Sequence, residues 1–155
     1  MRFRFTIRDL LWLTLVVALT GCSRARQDVK TPDQMTLYSV NVQEDLPDVG
    51  NGRFHEFPVL GKIEITDANQ RHEIMAAVMD GISDGGTPAA CFWPRHAIRT
   101  VVDGKTIDYV ICFHCSQIGI WDGEHRYVAM SRDAMPVLDK YLKAASIPQA
   151  PEVDN

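Results

Sequence analysis

The sequence predicts an α+β domain, an antiparallel sheet of about five strands with two helices packed on one face. Three observations carry this. Asp103-Gly104 and Asp122-Gly123 each stand between strand-like runs, and Asp-Gly is a strong hairpin signal because a type I′ turn needs positive φ at both central positions. Two stretches, 68–82 and 132–146, repeat apolar residues at helical spacing. The chain has 155 residues and a hydrophobic fraction of 46%, enough for one packed domain.

Taken in order, 36–42 (TLYSVNV) alternates and reads as a strand, 46–58 is a Gly/Pro/Asn-rich loop, and 59–65 (VLGKIEI) is a second strand. Thr66 or Asp67 is placed to cap a helix whose stripe is Ile74, Met75, Val78, Met79 and Ile82. SDGGTP (83–88) ends it. The Asp-Gly turns then define a three-strand meander, its middle strand running over about 106–121. The final helix aligns Ala134, Val137, Leu138, Tyr141, Leu142 and Ala145, with Ser131 or Asp133 as its cap and Pro136 tolerable only in the first turn. The expected organisation is a leader over 1–21, a polar tether over 22–36, a globular domain over 37–147 and a frayed tail over 148–155.

The leader has the layout of an export signal. Arg2, Arg4 and Arg8 precede an uncharged run from Leu10 to Thr20. A spanning helix needs about 20 apolar residues and a signal core roughly 7–15. The alternative is an uncleaved anchor lengthened by Phe3, Phe5 and Ile7. The run ends in Leu19-Thr20-Gly21-Cys22, which resembles the lipobox of bacterial lipoproteins. That resemblance implies a diacylglyceryl group on Cys22, cleavage before it, and a cell-membrane or outer-membrane anchor facing the periplasm; acyl chains contribute about 0.8 kcal/mol per buried CH₂. Asp9 departs from the usual basic n-region. The chain is acidic overall, at −4, and has no Lys/Arg block, which argues against nucleic-acid binding.

The chemistry-bearing residues gather in CFWPRH (91–96) and ICFHCSQ (111–117). A two-residue Asp103-Gly104 loop pairs Val102 with Lys105 and therefore His96 with Ile111. Continued alternation puts Cys112 and His114 on one face and Cys115 on the other. An unbroken ladder would hold His96 roughly 13 Å from Cys115 at about 3.3 Å per residue. Pro94 cannot donate to a ladder, so pairing is expected to stop near His96.

Five readings of the sulfurs stay open. Cys91 can bond Cys112 or Cys115, since exported proteins keep disulfides. All three can be buried thiols that pack as small hydrophobes. Cys91, His96, Cys112 and Cys115 can hold zinc, although only one Cys-x₂-Cys turn is visible. Cys112 and Cys115 can form a redox pair, or a cysteine can act as a nucleophile with His114 or His96. Arg95 and His96 suit a carboxylate or other anion, although such a pair more often satisfies buried backbone or acidic groups nearby; Trp93, Trp121 and Phe113 suit a pocket wall, with core packing as the default. His125 is expected to be merely exposed.

Residues 36–147, through the Cys-Phe-x-Pro-Arg-His and Cys-Phe-x-Cys-x-Gln stretches, resemble a set of bacterial exported or lipoprotein domains to which no activity is attached. The resemblance singles out Phe92, Pro94, Arg95, His96, Cys112, Phe113, Cys115 and Gln117 and transfers no catalytic role; the candidate structural or binding cluster is Cys91, Phe92, Arg95, His96, Cys112, His114, Cys115 and Gln117. The reading is therefore a membrane-anchored lipoprotein with a binding or envelope-interaction domain, no catalytic residue and no resident cofactor. Its partner is the membrane, through the lipid, plus a protein or small molecule not identified by the residues. The alternative is a metal-binding or thiol-dependent enzyme using Cys91, His96, Cys112 and Cys115.

Overall fold

The computed structural model describes residues 29–42 and 52–151. Cys22 and the leader lie outside them. The described chain is α+β with a seven-stranded antiparallel sheet rather than about five strands. The strands are β1 (Gln34–Val40), β2 (Arg53–Phe54), β3 (Phe57–Glu64), β4 (His96–Val102), β5 (Lys105–Cys112), β6 (Gln117–Trp121) and β7 (His125–Ala129). Their order across the sheet is β2-β3-β1-β4-β5-β6-β7. Helix α1 (Ala68–Asp84) follows β3, and α2 (Met135–Ala144) follows β7. Among the described residues no helix is long and apolar enough to cross a membrane.

Two corrections account for the extra strands. The expected loop contains β2, which reverses into β3 through His55-Glu56; His55 takes the positive φ of 54° that the tight turn needs. The expected middle strand is two strands, because 113–116 form a turn. Ser116 has φ 51° there and its N–H donates to the Phe113 carbonyl at 3.3 Å. Cys112 and Cys115 thus flank a reversal instead of alternating along one strand.

The Asp103-Gly104 hairpin forms as its sequence dictates. Both residues have positive φ, 51° and 74°, and the register pairs Val102 with Lys105 and His96 with Ile111. The ladder stops at His96, beyond which Arg95 still donates its N–H to the Ile111 carbonyl at 3.3 Å. Asp67 caps α1 by accepting from Gln70 N–H at 2.9 Å. For α2 neither expected cap acts: Ser131 Oγ donates to Asp133 Oδ2 at 2.8 Å, and Ala134 occupies the cap position without a side-chain bond, with Pro136 in the first turn.

Cross-strand register sorts the sheet into two faces. One carries Met35, Leu37, Ile98, Tyr109, Ile111, Ile118 and Ile120, which join Ile74, Met75 and Val78 of α1 and Leu138, Tyr141 and Leu142 of α2 in one hydrophobic cluster. The other carries Val40, Val59, Ala97 and Val110, clustered with Phe54 and Phe57. Residues beyond the expected domain limits also pack. Asp33 N–H donates to the Val101 carbonyl, Arg71 Nε donates to the Pro32 carbonyl, and Ala150 is buried.

Candidate functional site

The connection from α1 to β4, residues 85–95, carries CFWPR and is bonded to the β5–β6 turn through Ala89. Ala89 N–H donates to the Cys115 carbonyl at 3.0 Å, and Gln117 Nε2 donates to the Ala89 carbonyl. At its far end the Arg95 carbonyl accepts from Val40 N–H at 3.0 Å. The segment is therefore tied to the turn at one end and to β1 at the other, and its side chains divide between two sides.

Phe92 goes to the second face of the sheet, its ring centroid 6.1 Å from that of Phe57 and 4.8 Å from that of Tyr127. There Trp121 lies between two imidazoles, stacked on His55 at 4.4 Å and on His125 at 4.0 Å. His125 is exposed as expected, but it has this packing role. His55 Nε2 also meets Asp108 Oδ2 at 3.0 Å, and Arg99 grips the same carboxylate through two bonds of 2.8 and 2.7 Å.

Around the turn the three described sulfurs come together. Cys112 and Cys115 form the disulfide, so the expected pairing of Cys91 with one of them is not the one present. The reversal at 113–116 explains the difference, since it brings the ends of Cys-x-x-Cys side by side. Cys91 is a free thiol, half-buried, with its sulfur 2.7 Å from Cys115 Sγ. Cys112 Sγ accepts from Cys115 N–H at 3.0 Å and Trp93 N–H at 3.3 Å, and Cys115 Sγ accepts from Trp93 N–H at 3.4 Å. Among the described residues no group of three or more His, Cys, Asp or Glu side chains is placed to hold a metal ion.

Beside the sulfurs, Trp93, Arg95, His96, Phe113, His114, Arg132 and Met135 enclose a cavity of about 120 Å³. The Trp93 and His114 rings stack with centroids 5.8 Å apart on its wall. Arg132 pins the turn, donating from Nε to the Phe113 carbonyl at 2.9 Å and from Nη2 to the His114 carbonyl at 3.0 Å. A second cavity, of about 240 Å³, shares Trp93 and Arg95 and adds Asn41, Val42, Pro94, Ala150 and Pro151.

His96 is the most constrained group of the cavity wall. It is 1% exposed, and its Nε2 meets Asp139 Oδ1 at 2.8 Å. A carboxylate only accepts, so Nε2 carries the hydrogen. Burial pushes the imidazole pKa below its ordinary value, outweighing the pull of Asp139. Asp139 in turn is held down at about 2, chiefly by the bond from His96 and despite its own partial burial. His96 is thus neutral near pH 7, and its Nδ1 is a bare acceptor, buried without a hydrogen-bond partner. Ser39, which faces His96 across the β1–β4 ladder, also has a buried hydroxyl without a partner, as does the side-chain amide nitrogen of Asn41.

Sequence reasoning found Cys91, Arg95, His96, Cys112, His114, Cys115 and Gln117 at this end of the sheet, and Phe92 beside it. It missed Arg132, Met135 and Asp139. They belong to α2 and the loop before it, and no local pattern marks them as reaching the turn.

Together these features define a sheet-end pocket with aromatic and cationic walls, built on a sulfur-clamped turn. No protein-family model, curated protein or solved structure matches the chain.

Proposed function

We propose that the chain is an exported domain, anchored through a lipid on Cys22, that binds a small molecule bearing a carboxylate next to a hydrogen-bond donor. The reading rests on one observation: a buried histidine with a bare, unpartnered Nδ1 in the wall of a cavity that also carries two arginines. A buried polar atom without a partner costs about 1–3 kcal/mol. A hydroxyl or amine from a ligand would satisfy Nδ1, while Arg95 and Arg132 supply the charge complementary to a carboxylate. The cavity, of about 120 Å³, has room for a short hydroxy acid or the end of a peptide. The role assigned is binding rather than turnover, with both helices covering one face of the sheet so that α2 can present Asp139 to His96. Support for that packing is the single hydrophobic cluster shared by the two helices and the β strands.

Titration of the soluble domain with small hydroxy acids, amino acids and simple carboxylates, read by thermal shift and calorimetry, tests the binding. Hydroxy or amino acids are expected to stabilise more than acetate, and their methyl esters not at all. Absence of a shift at millimolar concentrations for every compound overturns it. Intact mass of protein taken from the membrane fraction tests the anchor: a diacylglyceryl-modified chain beginning at Cys22 is expected, and an unmodified chain beginning at Met1 removes it.

A further inference from the structure

We propose that Cys91, Cys112 and Cys115 form a thiol–disulfide exchange site, in which Cys91 carries a buried disulfide out to external thiols. Cys112 and Cys115 are bonded and fully buried, so an outside thiol cannot reach either sulfur. Cys91 is partly exposed, unbonded, and in contact with Cys115 Sγ at 2.7 Å. Proximity of this kind replaces a bimolecular attack by an intramolecular one.

The backbone decides which sulfur leaves. Cys112 Sγ receives two N–H groups, from Cys115 and Trp93, whereas Cys115 Sγ receives one, from Trp93. Donors aimed at a sulfur stabilise its thiolate, and the better-stabilised thiolate is the better leaving group. Cys115 is then the electrophile and Cys112 the departing sulfur. Cys91 loses its proton to water and its thiolate attacks Cys115 Sγ. The Cys91–Cys115 bond forms as the Cys112–Cys115 bond breaks, and Cys112 leaves as a thiolate that takes up a proton. One disulfide and one thiol stand on each side of this step, so it needs no oxidant or reductant. The new bond has a partly exposed end at Cys91. An external thiolate attacks there, forming a mixed disulfide and releasing Cys115 as a thiolate. A second external thiol resolves it, so two substrate thiols become a disulfide and the protein keeps three thiols. The substrate class is an accessible thiol pair, on a small molecule or a protein.

The test uses the purified, non-reduced full chain. After acid quench, it is alkylated in denaturant with N-ethylmaleimide and its bonds are mapped by mass spectrometry. The expected result is label on both Cys91 and Cys112, the Cys112 share growing when the protein is first held at alkaline pH. Label on Cys91 alone among these three in every sample, or on Cys91, Cys112 and Cys115 together, overturns the proposal; Cys22, the fourth cysteine of the full chain, is scored separately. Reduction by dithiothreitol gives a second reading. Cys91→Ser keeps the Cys112–Cys115 bond but loses the relay, so reduction should slow at least about tenfold. Cys91→Ala guards against a folding artefact of the serine hydroxyl. Equal rates for wild type and both folded variants overturn the relay.

Discussion

Replacing Asp139 by alanine removes the acceptor beneath His96. Two bonds converge on Asp139 Oδ1, from His96 Nε2 at 2.8 Å and from Gln149 Nε2 at 2.9 Å. Lys143 reaches Oδ2 at 3.3 Å but is largely exposed, and an i,i+4 pair of that kind contributes at most about 0.5 kcal/mol. The main term is the His96 N–H, left unpaired in a site 1% exposed, which costs about 1–3 kcal/mol. The Gln149 bond adds about 0.5–1 kcal/mol. The expected loss is therefore about 2–4 kcal/mol, equivalent to roughly 6–15 °C in Tm for a domain of this size. Asp139→Asn keeps a carbonyl acceptor and is expected to lose about half as much. Urea unfolding followed by tryptophan fluorescence at neutral pH measures both. An Asp139→Ala variant within about 0.5 kcal/mol of wild type would refute the claim that this bond satisfies and orients the buried His96 ring.

Three further outcomes follow from the same structure. Stability should fall on acidification in two steps. His96 has a folded pKa below its ordinary 6.5, so its contribution is complete above that value and is lost as the unfolded chain binds the proton first. Asp139, held at about 2 against an ordinary 3.8, adds a second loss between those values; chemical denaturation across the acid range should show the first step vanish in His96→Gln. Gly119→Ala places a methyl 2.7 Å from Trp121 Cζ3 and 3.1 Å from Tyr127 Cε1, and should cost about 1–3 kcal/mol with a shift in tryptophan emission. Gly104→Ala meets no neighbouring atom but must hold a φ of 74°; calorimetry should show a loss of about 1–2 kcal/mol from backbone strain alone.

Much of the fold could be read where turn chemistry is written in side chains. Asp103-Gly104 carries its own conformational preference, so the β4–β5 register follows to the residue, and Asp67 is a recognisable cap. The β5–β6 reversal has no such mark. Val110 to Phe113 is an unbroken apolar run, and the positive φ falls on Ser116 rather than on glycine or asparagine. The same holds for His55 in the β2–β3 turn. Missing the first of these reversals had a chemical consequence, because a continuous strand separates Cys112 from Cys115 and a turn joins them. The candidate site was legible on the CFWPRH side, where residue types are unusual. It was not legible on the α2 side, where Asp139 sits between the core residue Leu138 and the exposed Lys140 and reads as one more solvent-facing charge.

The most direct test of the central claim is the nitrogen spectrum of His96 in the labelled domain at neutral pH, with and without a short hydroxy acid. The account predicts a neutral ring protonated on Nε2, with a bare Nδ1 whose resonance moves when the hydroxy acid is added. A ring protonated on Nδ1, or an Nδ1 resonance unmoved by every hydroxy and amino acid tried, would contradict it.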